Sequence, residues 1–264
     1  MLKDIVPNLE GLKAQAVKRH HVKAIIDNIA FERNAPIQAN RTLAVTRKMF
    51  NFAISESILE TNPCSHIPMP SDENQRDRVL TDDEIGKFWR GLEQCGITEA
   101  VQIALKLQLV TAQRKQEVAI ARWAEFDDGN PVWTIPAANT KNGKLNRVPL
   151  SPLAVNLTSR LRSLSPNSEW LFPSRGKNLP ITARAIDRAV GRHRELIGLN
   201  HFTPHDLRRT AASHMTMLGY SRFIVERILN HADTSVAAVY DRYSYEKEKR
   251  EALNALSSKI EGLI

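Results

Sequence analysis

The sequence predicts a mainly α-helical protein with a small antiparallel β-sheet, arranged as a helical first domain and an α+β second domain. Three observations carry this prediction. Before residue 62 apolar residues recur at helical spacing. The stretch "TNPCSHIPMPSDENQRDRV" then breaks the pattern with three prolines and no periodicity. After Trp123 come short β-rich runs, and from Pro152 onward the helices return. A length of 264 residues also favours two domains over one, since single cores rarely grow past about 250 residues. The expected boundaries are a helical domain over 1–70, a linker over 71–78 and a second domain over 79–264.

Taken in order, "GLKAQAVKRHHVKAIIDNIA" and "PIQANRTLAVTRKMFNFAISESILE" read as the helices of the first domain. In the second of them Leu43, Phe50, Ile54 and Ile58 form the apolar stripe. Arg41, Arg47 and Lys48 lie mostly off it, on a face that is either solvated or turned toward phosphates. Helix resumes at "TDDEIGKFWRGLE", where Thr81 and Glu84 have capping-box spacing. "EAVQIALKLQLV" is apolar almost all round and reads as a central buried helix. "EFDD", "PVWTIP" and "NRVPL" are the strands, and Asn-Gly within "TKNGK" predicts a two-residue hairpin between the last two. In "FTPHDLRRTAASHMTMLG", Thr203 is an N-cap, Pro204 fits the first helical position and Asp206 completes a T-x-x-D box. Leu207, Ala211, Met215 and Leu218 form that helix's core stripe, with Gly219 ending it.

Composition narrows the function classes. Lys and Arg number 37 against 29 Asp and Glu, a net charge of +8 that favours a polyanionic partner. The first residues carry charge, so no secretory signal is expected, and nowhere do charges stay away for the roughly 20 residues that span a bilayer. The expected location is therefore the cytoplasm, with no membrane partner. Cys64 and Cys95 form no close pair and read as buried thiols.

Six residues could carry chemistry. His205 and Arg208 are three apart and share a helix face, whereas Arg209 points roughly 100° away. Taken alone they would be a capping histidine and a surface charge. Arg114 stands near the start of a helix with Glu117 three residues on, able to orient it. Lys141 lies at the turn, with Lys144 across it. His231 sits at a helix end, and Tyr240 follows nine positions later. This inventory does not suit a metal, since it offers no carboxylate cluster or cysteine. It suits metal-free phosphoryl transfer. Two guanidiniums, Arg114 and Arg208, can clamp the charge that builds on a phosphodiester under attack. A tyrosine hydroxyl, ordinarily near pKa 10, needs cations and a base such as His205 to become a nucleophile. Lys141 would protonate the departing 5′ oxygen.

In this order the residues resemble the signature of the tyrosine recombinases of phage and genomic-island integrase type. Arg114 with Glu117, Lys141, His205 with Arg208, His231 and Tyr240 match that family's motifs, and "ANRTLAVTRKMFNFAISESILETNP" resembles its core-binding domain. The resemblance implies a core-binding domain over 1–70 and a catalytic domain over 79–264, which close on double-stranded DNA attachment sites as a clamp. It implies cleavage and rejoining through a 3′-phosphotyrosyl bond that keeps the energy of the broken linkage, without cofactor. Four protomers would act on two sites, from a free state that could be monomeric, with accessory DNA-bending or excision factors as possible partners in the bacterial nucleoid. Arg41, Arg47, Lys48, Lys144 and Arg209 would contact DNA. The tail, with Leu253, Leu256, Ile260 and Leu263 on one face, resembles a helix that docks on a neighbouring protomer, the alternative being its own core.

There are departures from the pattern. Ala112 and Asn230 stand where the family usually has glycine, and Ala112 would be the costlier if its backbone needs positive φ. An arm-binding domain and the first core-binding helix are expected to be missing. Tyr243 is the rival nucleophile and Lys144 the rival acid. Other functions stay in play. "RRTAASHMTMLGYSRFIVERIL" also reads as the helix-turn-helix of a noncatalytic DNA-binding protein. A type IB topoisomerase would share the chemistry, and a metal-dependent nuclease stands further off.

Overall fold

A computed structural model describes residues 2–72, 77–127, 129–176, 178–231 and 243–264. The chain forms two compact units, Met1–Arg76 and Asp77–Ile264.

In the first unit the helices are α1 (Leu2–Leu9), α2 (Arg19–Asp27) and α3 (Pro36–Ser55). α1 has no counterpart in the sequence reading, and α2 begins at Arg19 rather than at residue 11, because a 3-10 turn at Ala14–Ala16 precedes it. Val22, Ile25, Ile26 and Ile29 place one apolar face toward Leu43 and Phe50 of α3. The expected α3 stripe is only partly buried. Leu43 and Phe50 are core, but Ile58 is 47% exposed, because the helix stops at Ser55 and Ser57 adopts a left-handed backbone.

The proline-rich stretch is in part core: Cys64 is buried as expected, like Cys95, while the burial of Ile67 was not foreseen. Cys64 is fully buried and Ile67 nearly so. Polar side chains make this irregular backbone tolerable there. Asn62 donates to Arg47 O at 3.0 Å, Arg47 donates to Ile67 O at 2.9 Å, and Asn40 donates to Ser71 O at 2.7 Å. Burial pushes the Cys64 thiol up to about 11, so it stays protonated.

The second unit opens with α4 (Asp82–Gln94) and α5 (Glu99–Thr111). The Thr81 and Glu84 capping box forms as predicted, and α5 is buried continuously from Ile103 to Thr111. A short α6 (Lys115–Ala119) leads to the sheet of β1 (Phe126–Asp127), β2 (Val132–Ile135) and β3 (Asn146–Pro149), antiparallel in the order β1-β2-β3. Trp133 pairs with Val148 and both are core. The two-residue hairpin is not what forms. The strands are joined by residues 136–145, which include a 3-10 turn at Ala137–Asn139, and Gly143 takes the positive φ of 69°.

Helices α7 (Pro152–Leu164), α8 (Ala183–Ile197), α9 (Pro204–Met217), α10 (Arg222–Ile228) and α11 (Glu246–Glu261) complete the unit. α5 packs against both α7 and α9. In α9, Leu207, Ala211 and Met215 are fully buried, whereas Leu218 is 40% exposed because the helix has ended before the left-handed turn at Gly219. The apolar face of the tail helix is taken up by its own unit. Leu253, Leu256 and Ile260 of α11 lie in this unit's own core, and Leu263 packs against it. Lys249 donates to Arg147 O, and Glu246 pairs with Arg147 at 3.0 Å, which ties α11 to β3.

Candidate active site

Three chain reversals build the site. The first ends α5. Ala112 adopts a left-handed backbone with φ of 56°, the conformation that makes a non-glycine residue costly there. The next residue, Gln113, is fully buried, and its amide donates to Thr111 O at 2.7 Å and Ile228 O at 3.1 Å while accepting from Asn146 Nδ2 at 3.0 Å. One side chain thus joins the end of α5, the end of α10 and the start of β3. Arg114 follows as the N-cap of α6. Its backbone N donates to Glu117 Oε2 at 2.8 Å and its Nη1 to Glu117 Oε1 at 2.8 Å. Glu117 is 2% exposed, and its carboxylate accepts from both the backbone and the guanidinium of Arg114, which fixes the direction of that side chain.

The second reversal starts α9. Asp206, fully buried, accepts from Thr203 N and Oγ1 at 2.8 Å each and from Arg209 at 2.7 Å. Gln108 of α5 donates to Pro204 O at 2.7 Å, so the N-terminus of α9 is fixed to the central helix. From this start Arg208 reaches inward and is only 3% exposed, which overturns the reading of it as a surface charge. Nη1 donates to Ala112 O at 2.7 Å and Nη2 donates to Leu229 O.

The third reversal ends α10. Asn230 is left-handed with φ of 48°, Asn230 N donates to Arg227 O at 3.2 Å and His231 N donates to Glu226 O at 3.1 Å. This is a Schellman end, and asparagine tolerates the backbone it requires. His231 is the residue just past it. Arg208 therefore bridges the two turns that deliver Arg114 and His231.

The electrostatics report the same grouping. Burial and then the charge of Arg114 push Arg208 down to about 9, which leaves it cationic at neutral pH. Burial, then Arg208 and Arg114, lower the pKa of His231. Burial, then Arg209 and Arg208, lower that of His205. Both imidazoles reach solvent yet sit partly desolvated beside cations, so they stay neutral at pH 7 and can accept a proton. Glu117 pairs with Arg114, whereas Arg208 has only the Ala112 and Leu229 carbonyls, so a further anion beside it would relieve the charge on Arg208.

Lys141 and Lys144 are exposed on the 136–145 loop. That loop is fastened to the third reversal: Asn142 Nδ2 donates to Asn230 O at 2.9 Å and to Asn230 Oδ1 at 3.1 Å, and Asn230 Nδ2 donates to Lys144 O at 3.1 Å. The structure thus brings Arg114, Glu117, Arg208, His205 and His231 into one charged neighbourhood, with the Lys141 loop attached beside His231. Tyr240 lies outside the described residues. Its rival Tyr243 is 58% exposed and stands edge-on to Tyr245 with ring centroids 4.8 Å apart. Arg209 is paired with Asp206, and Arg41, Arg47 and Lys48 belong to α3 of the first unit, where Arg41 and Lys48 are exposed and Arg47 is half-buried against Ile67. Gln113, Asn142 and Asn146 were missed by the sequence reading, because no periodicity or spacing announces a contact across 88 or 115 residues of chain.

Comparison with known proteins gives one family. The phage integrase family model matches residues 78–247. Prophage integrase IntA of Escherichia coli K12 is 26% identical over 261 residues, covering 94% of this chain and 60% of its own length. Prophage integrase IntZ of the same organism is 27% identical over 266 residues, covering 99% of this chain and 64% of its own length. The chain thus spans less than two thirds of the length of these relatives. Among solved structures, a lambda integrase tetramer bound to a Holliday junction superposes with a TM-score of 0.70 at 20% identity, over 89% of this chain and 70% of that one.

Proposed function

Since this chain belongs to the phage integrase family, we propose that it is a site-specific recombinase that cleaves and rejoins double-stranded DNA through a 3′-phosphotyrosyl intermediate. The observation that carries the reading is Arg208: a buried guanidinium, cationic at neutral pH, whose field and that of Arg114 overlap at the turn leading to His231. Glu117 already pairs with Arg114, but Arg208 is buried with only two backbone carbonyls for partners, and a buried cation gains from an anion. A scissile phosphate is such an anion, and it gains charge density on its nonbridging oxygens during attack, when the clamp is worth most.

In this reading the Tyr240 oxygen attacks the phosphorus and the bond to the 5′ oxygen breaks. His205, neutral at pH 7, takes the tyrosine proton, and Lys141 gives one to the departing oxygen, a contribution of roughly a hundred to ten-thousandfold. His231 supplies a second neutral imidazole at the phosphate. The phosphotyrosyl ester retains the energy of the broken linkage, so reversal by a 5′ hydroxyl rejoins the strand without a nucleotide cofactor. Tyr240 is assigned from its place nine residues after His231. Residues 1–70 are assigned to core-site binding, with Arg41, Arg47 and Lys48 toward phosphates, and 79–264 to catalysis, with Lys144 and Arg209 as further DNA contacts. Assembly of four protomers on two DNA sites is proposed by analogy with the lambda integrase tetramer on its junction, with action in the bacterial nucleoid and accessory bending or excision factors as partners.

The test is covalent capture. A pool of randomised duplexes carrying nicks is incubated with the protein, and the DNA that stays attached in denaturant is recovered. The wild-type chain should retain DNA and Tyr240→Phe should lose it, with Tyr243→Phe unaffected. Undiminished retention by Tyr240→Phe would reject the nucleophile. Salt-sensitive binding with no retention by the wild type would replace the enzyme with a noncatalytic DNA-binding protein.

A further inference from the structure

Lys141 has no secondary structure to hold it, yet both its neighbours are fixed. Thr140 Oγ1 lies 2.9 Å from Lys144 O and 3.0 Å from Ala137 O, with one proton to donate between them, closing the loop on itself. Asn142 Oδ1 accepts from Lys144 N at 3.1 Å, and Asn142 Nδ2 reaches Asn230 at 2.9 and 3.1 Å. Asn230 answers with Nδ2 to Asn142 Oδ1 at 3.3 Å and to Lys144 O at 3.1 Å. Two amide side chains that exchange donors in both directions form a clasp across 88 residues of chain, between the loop that carries Lys141 and the turn that carries His231.

Asn230 serves two ends at once. Its backbone has φ of 48°, which glycine would meet without strain, but glycine has no amide to give. We propose that Asn230 is a positioning residue: through Asn142 it presets Lys141 beside the His231 turn before substrate arrives. Binding a mobile lysine loop costs entropy at each turnover, and a loop held in advance spares that cost. The inference rests on the reading of Lys141 as the proton donor to the 5′ oxygen.

Asn230→Gly is the discriminating variant, since it preserves the left-handed turn and deletes only the clasp. Single-turnover cleavage is measured on two versions of a captured core duplex, one with the ordinary linkage and one with sulfur in place of the bridging 5′ oxygen, a leaving group that needs no proton. Asn230→Gly and Asn142→Ala should cleave the ordinary linkage about tenfold or more slowly and the sulfur linkage at the wild-type rate, a part of the loss shown by Lys141→Ala. Equal slowing on both linkages, or no slowing on either, overturns the proposal. If Lys141→Ala also fails to recover on sulfur, the acid assignment itself falls; if it recovers and Asn230→Gly does not, only the clasp falls. A second reading needs no DNA: trypsin should cut the native chain after Lys141 or Lys144 about tenfold faster in Asn230→Gly than in wild type. Equal cutting rates also overturn the clasp.

Discussion

Arg208 Nη1 closes on Ala112 O at 2.7 Å across 96 residues of chain, while Nη2 of the same guanidinium holds Leu229 O. One planar fork therefore sets the spacing of the turns before Arg114 and His231, and it does so from a position only 3% exposed. Lysine offers a single point of charge and cannot span both carbonyls. Arg208→Lys should leave one of them unpaired, lower stability by about 2 to 4 kcal/mol and slow cleavage by about a hundredfold or more. Urea unfolding and single-turnover trapping check the two effects separately.

Ala112 tests the backbone of the first turn. It is fully buried and left-handed. Glycine would relieve about 1 to 2 kcal/mol of φ strain but lose a buried methyl and add disorder to the unfolded chain, two losses of about 0.5 to 1 kcal/mol each, so gain and losses nearly cancel. Ala112→Gly should therefore shift stability by less than about 1 kcal/mol. Ala112→Val adds a β-branch where φ is positive and should cost about 3 kcal/mol, because Ala112 O can no longer meet Arg208 without strain. Thermal unfolding of the two variants separates these outcomes.

His205 and His231 both have pKa values lowered below 6.5 by burial and by neighbouring arginines. The unfolded chain then binds more protons than the folded one on the acid side of about 6.5, so this contribution to stability is complete above that pH and is lost as pH falls through the depressed values. The cleavage rate should follow the same direction, flat near neutrality and falling in acid as the imidazoles charge. Arg114→Gln removes one of the cations lowering His231 and should move the acid limb of the pH–rate profile upward. A limb that stays put would detach His231 from the Arg114 field.

Leu256 is fully buried on α11 within its own unit's core. Leu256→Ala should cost about 2 to 5 kcal/mol, and the loss should be the same over a hundredfold range of protein concentration. A loss that grows on dilution would mean that the helix is held by a partner chain.

Much of this was legible in the sequence where the physics is local. Thr81 with Glu84 and Thr203 with Asp206 announced their caps, Gly219 its helix end, and the apolar run around Leu105 its burial. Arg114 with Glu117 three residues on gave the pair that forms. Reading failed where long-range contacts decide. The turn at Asn142 and Gly143 looked like a two-residue hairpin, but the loop is lengthened by the 3-10 turn at Ala137–Asn139 and its asparagine is engaged by Asn230. Ile58 kept helical spacing after the helix had stopped, and Ile67 was core in a stretch without periodicity. The face of α11 carried a pattern equally suited to a neighbour or to its own core, and the burial of Leu253, Leu256 and Ile260 within the unit decides between them.

The central claim is that Arg114 and Arg208 face one anion. Soaking crystals of the protein with tungstate, a heavy mimic of the phosphate, tests it directly. A single tungstate should lie within hydrogen-bond distance of both guanidiniums and of His231, and be lost in Arg208→Ala. Two separate tungstates, or one bound at Arg114 and out of hydrogen-bond reach of Arg208, would sink the claim.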